Sequence, residues 1–119
     1  MKVKEFRLKL YPRDFNGSRA FYKEVLGLEI INEWNRGPDD MGVMFRAGLA
    51  TLELLTPEDG HQSYAGTGLS LEVEDVKQLA ADLKGKCEIT HELRHNDWGD
   101  TSLGITDPEG YKISLFTKD

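Results

Sequence analysis

Apolar and polar residues alternate along two stretches of this chain that lie 61 positions apart. In 5–11, Phe6, Leu8 and Leu10 take one face and Glu5, Arg7, Lys9 and Tyr11 the other. In 68–73, Leu69, Leu71 and Val73 oppose Gly68, Ser70 and Glu72. A period of two predicts half-buried strands. A helical spacing follows each. Phe15, Phe21, Tyr22, Val25 and Leu26 predict a helix over about 15–26, with Asp14 or Asn16 as N-cap and Gly27 as its stop. Asp75 caps a second helix of about 76–84, with Gln78 placed for a capping box and Gly85 as its stop. Strand patterns then come in threes: 28–35, 42–47 and 49–55, and again 87–93, 101–106 and 111–117. Turn signals fall at Arg36-Gly37-Pro38-Asp39-Asp40 and Asp107-Pro108-Glu109-Gly110.

The two halves match in register. Leu8, Leu10 and Asp14 correspond to Leu69, Leu71 and Asp75, and Thr51–Thr56 corresponds to Lys112–Thr117 at the same offset. A pattern repeated at one offset indicates one structural unit used twice. Each unit reads strand-helix-strand-strand-strand. The expected organisation is one domain, 1–119, with modules 1–56 and 67–119 joined by a polar linker, 57–66.

Composition narrows the partners. A chain of 119 residues can bury a real core. A net charge of −6 argues against nucleic acid, and no apolar run approaches the length of a membrane span. Met1-Lys2-Val3-Lys4-Glu5 runs straight into a strand pattern, so no leader is expected, and the single Cys87 allows no internal disulfide. A cytoplasmic location is the expectation.

Three motifs, in this order and spacing, resemble the vicinal oxygen chelate superfamily, which groups glyoxalase I, bleomycin resistance proteins and extradiol dioxygenases. They are Asp14-x-x-x-Ser18-x-x-Phe21-Tyr22-x-x-Val25-Leu26-Gly27-Leu28, Val73-Glu74-Asp75-Val76, and Asp107-Pro108-Glu109-Gly110-Tyr111-Lys112-Ile113. The resemblance spans essentially the whole chain. It implies an α+β fold of two βαβββ modules, with curved mixed sheets forming a cup, helices outside, and a homodimer. It also implies four places for metal ligands on the inner faces, which here hold Arg7, Glu53, Gly68 and Ser114.

Those residues do not make a metal site. Arginine offers no lone pair, glycine has no donor atom, and a serine hydroxyl is a poor ligand for zinc, nickel or iron. No metal and no cofactor are expected. Alternation places Arg7 and Lys9 on the face of Glu53, because Phe6, Leu8, Leu52 and Leu54 need the helix-side core. Arg7 then either offers its guanidinium to an anionic or carbonyl-bearing ligand or simply pairs with Glu53.

Other residues carry less. His91 and His95 read as part of a solvated loop, His61 as exposed, and Cys87 as a passive thiol. Gly66-Thr67-Gly68 lacks the rest of a phosphate loop, and no Gly-x-Ser-x-Gly motif is present. Trp34 and Trp98, with Phe45, Tyr64, Phe116, Met41 and Met44, are candidates to rim a cup that stacks a planar ligand. The ligand-binding candidates are therefore Arg7, Lys9, Glu53, Ser114, Phe116, Trp34 and Trp98. The first reading is metal-independent binding of a small organic molecule, by sequestration of a drug or of an aromatic or anionic metabolite. The alternative is a lyase, isomerase or dioxygenase using Glu53 as general base or an unrecognised metal site. A structural or regulatory dimer with an empty cup is a third.

Overall fold

The computed structural model describes residues 1–57 and 66–119; His61, Tyr64 and most of the linker lie outside them. The chain divides into two compact units, residues 1–63 and 64–119. In the first, β1 (Arg7–Leu10) leads to α1 (Phe15–Ala20), which continues as a π-helical turn, Phe21–Val25. Three strands follow: β2 (Ile30–Asn35), β3 (Met41–Ala47) and β4 (Ala50–Leu55). The second contains β5 (Leu69–Glu72), α2 (Val76–Leu83), β6 (Glu88–Asn96), β7 (Asp100–Thr106) and β8 (Lys112–Lys118). The sheets are ordered β1-β4-β3-β2 and β5-β8-β7-β6. The first and last strands of each unit pair in parallel, and the other pairs are antiparallel. This is the expected α+β arrangement of two βαβββ modules.

The repeat extends to hydrogen bonds. The Asp14 carboxylate accepts from the Gly17 amide at 2.9 Å, and Asp75 from Gln78 at 3.0 Å, so the two helices start on the same device. Asp14, not Asn16, is the first cap. The predicted capping box does not form, because the Gln78 amide donates to Asp82 one turn on. The π turn closes with the Leu26 amide on the Phe21 carbonyl. Gly27 and Gly85 end the helices at φ +69° and +79°, where a side chain would be strained.

Each core lies between one sheet face and its helix. In the first unit, Leu10, Val43, Phe45, Leu52 and Leu54 meet Phe15, Phe21 and Tyr22, all buried. Tyr22 stands edge-on to Phe21, ring centroids 5.2 Å apart, and tilts against Phe45. In the second, Leu103, Ile105, Ile113 and Leu115 share the helix-side face and are buried, as are Val76 and Leu83 of α2.

Three expectations are corrected. Phe6 is 64% exposed, because the β1 ladder starts at Arg7 and alternation does not govern the residue before it. Phe45 is not a rim residue; it pairs with Leu52 on the helix-side face and is fully buried. His91 and His95 are in β6 itself, which runs three residues further than its apolar pattern.

Candidate functional site

The face of each sheet opposite its helix carries the polar positions. In the first unit the parallel ladder sets Arg7 beside Thr51 and Lys9 beside Glu53, while Leu8 and Leu10 align with Leu52 and Leu54. Arg7, Lys9 and Glu53 thus share the open face. Yet Arg7 forks onto Glu5, not Glu53. Glu5 chiefly, and the field of Glu53 weakly, raise the Arg7 guanidinium above its ordinary range. Lys9 is 5.9 Å from the Tyr11 ring centroid. Glu53 is 7% exposed and makes no hydrogen bond or ion pair among the described residues.

Trp34 pairs with Gly42, and its indole lies across that glycine, where any side chain would collide with the ring. Arg36, forked onto Asp40, sits 5.8 Å from the Trp34 ring centroid. A cavity of about 370 Å³ joins Trp34 and Met41 to Phe15, Asn16 and Arg19 at the start of α1.

The open face of the second sheet is richer. Ser70 pairs with Ser114, Ser102 with Phe116, and Gly104 with Ser114. Across from these, β6 sets His91 opposite Gly104 and Arg94 opposite Ser102. Three steps on β6 match two on β7, so a bulge lies between them. Two adjoining cavities open here and share Ser70, Arg94 and Ser114 in their lining. One, about 230 Å³, adds Asn96, Trp98, Asp100, Ser102 and Phe116. The other, about 340 Å³, adds Gly68, Thr90, His91, Gly104 and Lys112.

The first cavity is braced. Buried Asn96 donates to Asp100 Oδ1 at 2.7 Å and to Ser102 Oγ at 2.9 Å, and the indole N–H of Trp98 donates to Asp100 Oδ2 at 3.0 Å. Trp98 is otherwise 76% exposed. Arg94 has no hydrogen bond or ion pair among the described residues. Ser114, Phe116 and Trp98 of the predicted set therefore meet in one cavity, whereas Arg7, Lys9, Glu53 and Trp34 belong to the other sheet. Arg94, Asn96 and Ser102 escaped the sequence reading, and His91 was assigned there to a solvated loop. The signal for Ser102 was present in the alternation with Leu103 and Ile105; Arg94 and Asn96, two apart on one face, lie past residue 93, where the predicted strand ended.

The Asp107-Pro108-Glu109-Gly110 motif is structural. The Asp107 carboxylate accepts from the Glu109 and Tyr111 amides, both at 2.9 Å, and so holds the β7–β8 turn. Burial pushes the Cys87 thiol above its ordinary range, as fits a passive residue.

The sequence profile of the Glyoxalase/Bleomycin resistance protein/Dioxygenase superfamily matches residues 6–115. The chain belongs to this superfamily. Solved members share its fold at low identity. A superfamily protein from Sphaerobacter thermophilus superposes with a TM-score of 0.81 at 20% identity, covering 98% of each chain. A lactoylglutathione lyase from Agrobacterium tumefaciens gives 0.73 at 22%, covering 98% of this chain and 95% of its own. A fosfomycin resistance protein from Listeria monocytogenes gives 0.72 at 15%, covering 100% and 94%. No curated protein matches the chain. The resemblance puts the ligand places of metal-dependent members at Arg7, Glu53, Gly68 and Ser114, and these residues do not fit a metal. Arg7 is engaged by Glu5, Gly68 has no side chain, and Ser114 offers a neutral hydroxyl. Among the described residues no three His, Cys, Asp or Glu side chains gather as a metal site would require. No described helix is long and apolar enough to cross a membrane.

Proposed function

We propose that this superfamily member binds a small organic molecule without a metal or other cofactor, as a cytoplasmic homodimer that sequesters a drug or an aromatic or anionic metabolite. The observation that carries the reading is the donor chemistry at the places the resemblance gives for metal ligands, where only Glu53 is of ligand type and one carboxylate cannot hold a metal. The open faces support it: Arg7, Lys9 and Trp34 stand on one sheet, and Ser114, Phe116 and Trp98 line a cavity on the other. A single functional domain built from modules 1–56 and 67–119 belongs to the same proposal. Elemental analysis of purified protein should find no stoichiometric zinc, nickel, manganese or iron. A thermal-shift screen of aromatic and anionic compounds should find ligands that raise the melting temperature, because binding only the folded state stabilises it. One metal equivalent per chain, lost to a chelator together with ligand binding, overturns the reading.

A second reading rests on Glu53 itself. A carboxylate 7% exposed and free of ion pairs among the described residues suits a general base. Under that reading Glu53→Gln would abolish turnover of a bound ligand while leaving its affinity intact.

A further inference from the structure

We propose that the open face of the second sheet binds aromatic carboxylates that carry a neighbouring hydrogen-bond donor, anchored by Arg94 and read by His91. This rests on the small-molecule-binding reading above and gives it a place and a ligand class. None of the residues that carry it stands at the family's four ligand places.

Charge selects an anion. Arg94 and Lys112 both line the 340 Å³ cavity, and no carboxylate lines it. In a chain of net charge −6 that is a local reversal of sign. Arg94 has its donors uncommitted among the described residues, and a guanidinium matches a carboxylate with two parallel hydrogen bonds. Two acids stand near: Asp100 lines only the other cavity, and its two oxygens already accept from Asn96 and Trp98, while Glu72, beside Phe116, lines neither cavity and pairs with Lys118. The anion therefore belongs on the His91 and Lys112 side of Arg94.

The ring belongs on the opposite side. Arg94 lines both cavities, and beyond it stand Trp98 and Phe116. A molecule whose carboxylate meets Arg94 directs its ring toward those aromatics, which bind planar groups by stacking or edge contact.

His91 supplies the finer selection. Its Nδ1 lies 3.1 Å from the Glu92 carbonyl, which can only accept, so Nδ1 carries the proton. In the neutral ring Nε2 is then an acceptor. The imidazole can lie against the sheet because residue 104 is glycine: a Cβ there would stand 2.8 Å from Nε2 and closer still to Cδ2. An acceptor fixed beside the anion anchor favours a ligand with a donor next to its carboxylate.

Isothermal titration calorimetry with 2-aminobenzoate, benzoate and 2-aminobenzamide tests this. The wild-type protein should bind 2-aminobenzoate most tightly, benzoate less, and the uncharged amide about tenfold more weakly or worse. Arg94→Gln should weaken 2-aminobenzoate about tenfold or more, and Trp98→Ala should weaken all three. His91→Phe should erase the advantage over benzoate, and Arg46→Gln, an exposed cation on the other sheet, should change nothing. Circular dichroism checks that each variant is folded. Carboxylate binding that survives Arg94→Gln but is lost in Arg7→Gln overturns this inference and leaves the broader function standing. If the wild-type protein binds none of the three probes, the inference falls; if the thermal-shift screen is also silent, the broader function falls with it.

Discussion

Replacing Gly42 by alanine should destabilise the protein through one contact, the Trp34 ring. Residue 42 has an ordinary backbone conformation, so the added methyl costs nothing in φ. By strand propensity alone alanine should gain about 0.5–1 kcal/mol over glycine. The methyl, however, would overlap the indole, with Cη2 only 2.6 Å away. Trp34 is a half-buried side chain with two torsions, and displacing it is an overpacking cost of about 1–3 kcal/mol. The balance is a loss of roughly 1–2 kcal/mol, or a melting temperature lower by about 4 °C per kcal/mol for a chain of this size. A double-mutant cycle isolates the contact. In a Trp34→Ala background the methyl meets no ring, so Gly42→Ala should become neutral or mildly stabilising, with a coupling energy of about 1–3 kcal/mol. The chain has two tryptophans, so a Trp98→Phe background assigns the emission to Trp34. Gly42→Ala should shift that emission as the ring swings off the sheet. An unchanged spectrum with a raised melting temperature would refute the packing described for Trp34.

Asp75→Ala should cost about 1 kcal/mol by leaving the first turn of α2 uncapped, whereas Gln78→Ala, whose side chain reaches only exposed Asp82, should cost no more than about 0.5 kcal/mol in chemical denaturation. The Arg19 guanidinium holds the Glu33 carboxyl below its ordinary value of 4.5. Its stabilisation is therefore full above that value and lost as pH falls through the lowered one. An NMR titration should show the Glu33 midpoint rising in Arg19→Gln, with a stability difference, under about 1 kcal/mol for so exposed a pair, that fades in acid. Cys87 should react with iodoacetamide more slowly in the folded than in the denatured protein at pH 8, because burial raises its pKa; the opposite order would contradict that.

The fold was legible because its evidence is local. The alternation at Leu8 and Leu10, the caps at Asp14 and Asp75 and the stops at Gly27 and Gly85 each act over a few residues, and each stands where the pattern put it. The site was less legible because alternation counts faces from a starting point, and the count fails where a strand gains a residue. From His91, a period of two puts Leu93 on the open face; the bulge puts Arg94 there instead. The spacing between the halves records the same slippage. Asp14 and Asp75 are 61 apart, Gly27 and Gly85 are 58 apart, and Trp34 and its structural counterpart Arg94 are 60 apart. Partner choice among exposed charges was equally hidden. Glu53 attracts Arg7 from an adjacent strand, but Glu5 is two residues away in sequence and reaches it first.

The irregular strands have a consequence for how this protein behaves when concentrated. β2 and β6, each the outermost strand of its sheet, are the two strands with register shifts. The opposite borders, β1 and β5, are only four residues long. A fibre grows by adding straight, regular strands to a free border, and a kinked or very short border offers few amides and carbonyls in line. Both kinds of border are thus poor templates, so the interruption that sets His91 and Arg94 on one face of their sheet also guards that sheet against runaway growth.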